Sequence, residues 1–296
     1  MTGESHEVLT NVEGGVGFVT LNRPKAINSL NQTMVDLLAT VLMSWEHEDA
    51  VHAVVLSGAG ERGLCAGGVG VSAHANTRVV TDTSKVAMPE VGIGFIPDVG
   101  GVYLLSRAPG ALGLHAALTG APFSGADAIA LGFADHFVPH GDLDAFTQKI
   151  VTGGVESALA AHAVEPPPST LAAQRDWIDE CYAGDSVADI VAALRKQGGE
   201  PAVNASDLIA SRSPIALSVT LQAVRRAAKL DTLEDVLIQD YRVSSASLRS
   251  HDLVEGIRAQ LIDKDRNPNW SPATLDAITA ADIEAYFEPV DDDLSF

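Results

Sequence analysis

The spacing of apolar residues in the first sixty positions predicts a strand, a helix and a second strand. Residues 16–21 form the first strand, which ends at Pro24 because proline lacks the N–H that continues a ladder. Apolar residues three and four apart predict an amphipathic helix from Asn31, its cap, to about Trp45. The apolar run within residues 51–57 predicts a strand buried on both faces of a parallel sheet. This order indicates a right-handed crossover and an α/β fold.

The pattern in the rest of the chain predicts an α/β core followed by helices. Short strands are expected at 77–81 and 132–138, and helices from 102, at 112–118 and at 124–131. From 143 onwards the spacing is mostly helical, broken by Pro166–Pro168 and by Gly198–Gly199. We therefore predict a core at 1–142 and, at 143–296, a helical insertion and C-terminal helical region packed on it as one unit. The acidic residues 291–293 are expected to be a solvated tail.

Composition excludes several classes of function. The 296 residues are 46% hydrophobic, enough for a sizeable core. With 19 basic and 39 acidic residues the net charge is −20, which disfavours nonspecific binding to nucleic acid or anionic membrane. The two cysteines lie far apart without metal-ligand spacing, so neither a disulfide framework nor a metal site is expected. No membrane-length apolar run or signal peptide is recognisable, so we expect a cytoplasmic protein.

Two carboxylates, Glu90 and Asp98, lie among glycines, prolines and apolar residues in the segment 88–101. One interpretation is a tight turn whose acids cap helices. The apolar neighbours favour another, in which at least one acid is partly desolvated, a condition that raises a carboxylate pKa towards values useful in acid–base catalysis. The prolines and glycines predict a shaped loop that leads into a helix beginning at Gly100-Gly101.

The segment 88–101 resembles the crotonase (enoyl-CoA hydratase/isomerase) superfamily, and specifically its 3-hydroxyisobutyryl-CoA hydrolase branch. Residues 22–31 are similar to the N-terminal CoA-contacting signature of that superfamily, and residues 64–68 to its first oxyanion-hole turn. Residues 251–270 are typical of the hydrolase branch. The resemblance implies a spiral of ββα units with a C-terminal helical region.

The resemblance also implies a reaction, the hydrolysis of 3-hydroxyisobutyryl-CoA in valine degradation. It assigns Glu90 as the catalytic carboxylate, acting as nucleophile or as general base for water. It assigns Asp98 to orient the substrate hydroxyl or assist proton transfer, and the Gly68 N–H to stabilise the oxyanion. No cofactor is implied, because CoA is part of the substrate.

Contacts with the acyl-CoA partner are assigned by the same resemblance. Lys25, Ala26 and Ile27 are expected to line the CoA nucleotide site, and Ala66 and Gly67 complete the set of substrate-binding residues. The superfamily commonly forms trimers or larger assemblies, so a homo-oligomer is a further expectation, although no repeat or heptad specifies one.

Hydration of an enoyl-CoA is the alternative within the superfamily. Relatives that catalyse it use a second glutamate shortly after a Gly-Gly turn, and this chain has Gly-Gly-Val-Gly at 67–70. The missing acid argues against a hydratase.

The chain departs from the superfamily pattern at Gly68 and Val69. Residues 66–68 match a first glycine turn and residues 67–73 a second, although relatives separate the two by a strand and a helix. Such a segment needs on the order of 30 residues. We therefore predict that a segment is missing here and that no peptide bond joins Gly68 to Val69. The alternative is a real loss, leaving a catalytically impaired CoA-binding protein.

Overall fold

The computed structural model describes residues 7–26, 28–60 and 67–296, and the chain divides into two compact units. The first unit comprises Met1–Val86, Ser124–Ala126 and Ala134–Pro167, and the second comprises Ala87–Phe123, Asp127–Phe133 and Pro168–Phe296. Helices and strands are mixed, as expected for the α/β class. The predicted division into residues 1–142 and 143–296 stays a prediction.

The described strands are β1 (Val8–Glu13), β2 (Val16–Leu21), β3 (Ala53–Gly58), β4 (Val79–Val80), β5 (Lys85–Val86), β6 (Phe123–Ser124) and β7 (His136–Phe137). The described helices are α1 (Gln32–Glu46), α2 (Gly67–Ala73), α3 (Gly101–Arg107), α4 (Leu112–Thr119), α5 (Gly125–Leu131), α6 (Leu143–His162), α7 (Arg175–Cys181), α8 (Val187–Gln197), α9 (Glu200–Ala210), α10 (Pro214–Ala227), α11 (Leu233–Ser247), α12 (His251–Ile257) and α13 (Ala280–Glu284).

The three-stranded sheet of the first unit has the strand order β1-β2-β3, and β4 pairs with β7 in a separate two-stranded sheet. Gly14 and Gly15, both at positive φ, turn the chain so that β2 pairs antiparallel with β1. Helix α1 then returns the chain so that β3 pairs parallel with β2. The Asn31 side chain caps α1 by accepting the Met34 N–H at 2.9 Å. The predicted strand, capped helix and parallel strand are all confirmed.

β3 is more exposed than its sequence predicts. The apolar run indicates a strand buried on both faces, yet Val54 is 42% exposed. Among the described residues β3 pairs only with β2, and because strand side chains project from the faces of the sheet, the exposure of Val54 shows that its face is only partly covered. The prediction of burial on both faces is wrong.

Helix α2 runs through the junction at Gly68 and Val69. The Ser72 hydroxyl donates to the Gly68 carbonyl at 2.8 Å and lies 3.3 Å from that of Val69. These two residues are consecutive members of one helix, so the prediction that no peptide bond joins them is wrong.

Helix α10 lies at the centre of the second unit, where it packs on α3, α4 and α11. At its start the Ser213 hydroxyl accepts the Ala216 N–H at 3.1 Å, and Pro214 occupies the first turn. Its buried apolar residues are Ile215, Ala216, Leu217, Val219, Leu221, Ala223, Val224 and Ala227.

The helical character predicted from residue 143 onwards is confirmed by α6 to α9. Gly154, at φ +80°, interrupts α6, and Gly198, at φ +74°, ends α8. The prediction of a solvated tail is wrong for Asp293, because its carboxylate forms an ion pair with Arg242. None of the described helices is long and apolar enough to cross a membrane.

Candidate active site

Close packing at Gly94 shapes the loop that carries Glu90. Residues Glu90–Ile93 form a 3₁₀ turn, closed by the Phe95 N–H donating to the Glu90 carbonyl at 3.0 Å. Gly94 has φ +74°, and a Cβ atom there would lie 2.4 Å from the Asp252 carbonyl at the start of α12. Only glycine fits this conformation and this approach, which confirms the predicted shaped loop.

Glu90 is buried, with 6% of its surface exposed. Its Oε2 has no hydrogen-bond partner among the residues that the structure describes. Burial raises the pKa of Glu90 from 4.5 to about 8, and the charge of Asp98 adds to the rise. The predicted desolvated acid is therefore present, and it caps no helix.

Asp98 lies just before α3, at the end of the same loop. The Gly101 N–H donates to its backbone carbonyl at 2.7 Å, and the Ser244 hydroxyl lies 3.4 Å from its Oδ2. Burial raises the pKa of Asp98 to about 6, although the contact with Ser244 opposes the rise. Its side chain does not cap α3, so the interpretation of both acids as helix caps is wrong.

A third carboxyl group, that of Asp240 on α11, was missed by sequence reasoning. Its Oδ2 accepts the Gly100 N–H at 3.0 Å. Burial raises the pKa of Asp240 to about 8, and the charge of Asp98 contributes. Its spacing in the sequence could have identified it: Asp240 lies four residues after Val236 and three before Val243, which places it on the buried face of α11.

The three acids form one cluster within the second unit, because the charge of Asp98 affects the pKa of both Glu90 and Asp240. At neutral pH Glu90 and Asp240, the two acids with the higher pKa, are mostly protonated, while Asp98 is largely ionised. Such a cluster can accept, hold and donate protons in a site from which water is largely excluded.

The predicted glycine donor belongs to the first unit. Gly67 and Gly68 lie in the first turn of α2, where backbone N–H groups have no acceptor within the helix. Ala66 lies outside the described residues. The role of the Gly68 N–H as an oxyanion donor stays a prediction.

The predicted CoA-contacting residues also belong to the first unit. Lys25 and Ala26 lie in a 3₁₀ turn, Pro24–Ala26, and Ile27 lies outside the described residues. The Asn28 side chain holds this loop, accepting the Arg23 N–H and donating to the Ala59 carbonyl, both at 2.8 Å. Lys25 is exposed and can meet an anionic ligand, which leaves its predicted role open.

Metal-ligand clusters of three or more His, Cys, Asp or Glu side chains do not occur in the part of the chain that the structure describes.

Comparison with known families gives a match in two parts. The model of the family described as enoyl-CoA hydratase/isomerase matches residues 16–68 and 67–287. The chain belongs to the enoyl-CoA hydratase/isomerase family. The two parts overlap at Gly67 and Gly68, the residues that two glycine-turn motifs share in the sequence.

A curated relative of this family member is the mitochondrial 3-hydroxyisobutyryl-CoA hydrolase of Mus musculus. It is 32% identical over 357 residues, covering 100% of this chain and 92% of the relative. Because the alignment spans 357 positions and the chain has 296 residues, at least 61 aligned positions have no residue here. This relative therefore has residues that the chain lacks, while a missing segment at Gly68 and Val69 stays a prediction. The relative is named mitochondrial, so a cytoplasmic location stays a prediction.

Solved structures of the family confirm the predicted crotonase fold. A crystal structure of a carnitinyl-CoA dehydratase from Mycobacterium thermoresistibile superposes with a TM-score of 0.95 at 60% identity, covering 99% of each chain. That of an enoyl-CoA hydratase from Rhodobacter sphaeroides gives 0.90 at 30% identity, covering 96% of this chain and 98% of that one.

Proposed function

We propose that this family member hydrolyses the thioester of a short, branched hydroxyacyl-CoA, with 3-hydroxyisobutyryl-CoA as the substrate. The observation that carries the proposal is the buried Glu90 carboxyl, one oxygen of which lacks a partner among the described residues, in the same acid cluster as Asp98. The 3-hydroxyisobutyryl-CoA hydrolase of Mus musculus, aligned over the whole chain, supports the choice of reaction. The reaction would place the enzyme in valine degradation.

In the proposed reaction, water adds to the thioester carbon and the C–S bond breaks. Ionised Glu90 either accepts a proton from the attacking water or attacks the carbon itself, and water then releases the acid from the covalent intermediate. The CoA thiolate leaves and takes up a proton. Asp98, ionised at neutral pH, accepts a hydrogen bond from the substrate hydroxyl.

The remaining roles follow from the family resemblance. The Gly68 N–H donates to the oxyanion that forms on the thioester oxygen, an interaction that strengthens as negative charge develops there. Lys25, Ala26 and Ile27 line the CoA nucleotide site, and the turn containing Ala66 and Gly67 completes the set of substrate-binding residues.

Dehydration of a hydroxyacyl-CoA is a second candidate, favoured by the 60% identity to the structure named carnitinyl-CoA dehydratase. In that reaction a proton leaves the carbon next to the thioester and the hydroxyl leaves as water, so the C–S bond stays intact. The sequence Gly-Gly-Val-Gly at 67–70 opposes it, because the second glutamate used by hydratases of the family is missing.

The two reactions differ in their products. The enzyme is incubated with 3-hydroxyisobutyryl-CoA, carnitinyl-CoA and crotonyl-CoA, while a thiol reagent reports free CoA and mass spectrometry reports loss or gain of water. We expect thiol release from the first substrate. Loss or gain of water without thiol release would overturn the hydrolase proposal, and CoA binding with neither reaction would indicate an impaired CoA-binding protein.

The variant Glu90→Gln tests the assigned catalytic carboxyl. It keeps the side-chain shape and removes the base or nucleophile, so we expect turnover to fall by about 100-fold or more with CoA affinity unchanged. Glu234→Gln, an exposed position on α11, is the matched control. Near-normal turnover in Glu90→Gln would show that the loop is structural only.

The pH dependence of kcat/KM gives a further prediction. A base or nucleophile must be ionised, and the pKa of Glu90 is about 8. We therefore expect kcat/KM to rise with pH and to level off above about pH 8, measured by thiol release under conditions of low substrate. A rate that is constant from about pH 6 to pH 9 would contradict this assignment.

A further inference from the structure

Helix α11 contacts the turn after Asp98 through two side chains one helical turn apart. Asp240 and Ser244 project from the same face of the helix because they are four residues apart. The Asp240 Oδ2 accepts the Gly100 N–H at 3.0 Å, and the Ser244 hydroxyl lies 3.4 Å from the Asp98 Oδ2. One face of α11 therefore contacts both Asp98 and Gly100 in the turn 98–101.

This turn has a backbone conformation that needs support. Val99 has φ +50° and Gly100 has φ +77°. A β-branched residue such as valine adopts the left-handed region only where its surroundings impose it. Two hydrogen bonds hold the turn: the Gly101 N–H donates to the Asp98 carbonyl at 2.7 Å, and the Gly100 N–H donates to the Asp240 Oδ2 at 3.0 Å. The second bond ties the turn to α11, so its loss would remove the support that this helix gives to Val99 and to the direction of the Asp98 side chain.

The burial and the raised pKa of the Asp240 carboxyl suit it to support the turn at Val99. The residue is 3% exposed, and its Oδ1 has no hydrogen-bond partner in the described part of the chain. Burial raises its pKa to about 8, and among the described ionisable groups Asp98 is the one whose charge adds to that rise. A neutral acid accepts the Gly100 N–H with its carbonyl oxygen and places no second negative charge beside Asp98.

We propose that Asp240 is a positioning residue for Asp98. Acting as a neutral acid, it accepts the Gly100 N–H, holds the strained turn at Val99 and so fixes the direction of the Asp98 carboxylate. It acts through the backbone and does not touch the substrate. Its effect on turnover rests on the proposed function, whereas its effect on the turn does not.

The effect on the turn is tested without any substrate. Hydrogen exchange followed by mass spectrometry is measured at the Gly100 amide in Asp240→Ala, Asp240→Asn and the control Glu234→Ala. We expect at least tenfold faster exchange in Asp240→Ala. Asp240→Asn, which keeps a neutral carbonyl acceptor, should exchange like the wild type. Unchanged exchange in Asp240→Ala, or equally fast exchange in Asp240→Asn, would overturn the proposal.

The effect on turnover is tested by measuring kcat and KM separately for each variant. Misdirecting Asp98 should lower kcat by about tenfold to 100-fold in Asp240→Ala with little change in KM, and Asp240→Asn should recover most of the loss at neutral pH. If Asp240→Ala does not fold, Asp240→Leu removes the acceptor and keeps the volume. Equal loss of kcat in Asp240→Asn and Asp240→Ala would refute the neutral-acid role. If the wild type hydrolyses no thioester, the proposed function fails while the exchange experiment still decides the role of Asp240.

Discussion

The difference in free energy of unfolding between the variant Glu90→Gln and the wild type should shift in favour of the variant as pH rises. The folded protein binds the Glu90 proton more tightly than the unfolded chain, because burial raises the pKa from 4.5 to about 8. Between these two values the folded state holds more protons than the unfolded state, so the free energy of unfolding of the wild type falls as pH increases. Glutamine has no such proton to lose.

The size of the effect follows from the same two pKa values. Each tenfold difference in proton affinity is worth about 1.4 kcal/mol, so the stability lost by the wild type through Glu90 is about 3 kcal/mol at pH 7. The loss is below about 1 kcal/mol near pH 5 and reaches about 4 kcal/mol near pH 8. The stability of Glu90→Gln relative to the wild type should therefore rise by about 3 kcal/mol from pH 5 to pH 8.

Urea unfolding followed by tryptophan fluorescence measures this difference. In a Trp45→Phe background the remaining tryptophans, Trp177 and Trp270, both lie in the unit that contains Glu90. The free energy of unfolding of each variant is extrapolated to zero urea at each pH. A buried amide that lacks partners adds a penalty, but that penalty does not depend on pH and leaves the slope unchanged.

The matched control is Glu234→Gln, which replaces an exposed glutamate on α11 and should show no such slope. Parallel stability curves for Glu90→Gln and the wild type from about pH 5 to pH 8 would refute the reasoning, because they would show that Glu90 has nearly the same pKa in both states.

Two further predictions concern residues that support the loop carrying Glu90. Gly94→Ala should lower the free energy of unfolding by about 3 kcal/mol or more, since it combines positive φ with a Cβ atom 2.4 Å from the Asp252 carbonyl. Gly132→Ala is the control: Gly132 also has positive φ, but an added Cβ atom would meet nothing within 4 Å, so this variant should lose less stability in the same urea assay. Ser213→Ala should lower the free energy of unfolding by about 2–3 kcal/mol, because it removes the cap of α10 and the 2.6 Å donor to the buried Asp252 Oδ2. The control Ser250→Ala removes the cap of α12 but leaves that carboxylate paired, so it should lower the free energy of unfolding by about 1 kcal/mol. Equal losses of stability in thermal unfolding of the two variants would contradict this account.

Sequence alone determined the features that depend on short-range interactions. The Asn31 cap of α1 joins residues three positions apart, so local spacing was enough to predict it. The apolar neighbours of Glu90 likewise indicated a desolvated acid. The family resemblance added the fold, and the glycines at 67–68 that two motifs share led to the prediction of a missing segment.

Only the tertiary structure decided which groups meet across long sequence separations. Asp240 accepts a hydrogen bond from Gly100, 140 positions earlier, and nothing in the local pattern of α11 identifies that partner. Asp293 pairs with Arg242 although the acidic tail predicted solvation. The same holds for Val54, since the exposure of a strand side chain depends on what packs on its face of the sheet and not on the apolar residues of the strand itself. Burial and long-range pairing are properties of packed elements, so the pKa values of the acid cluster became visible only once those elements were in place.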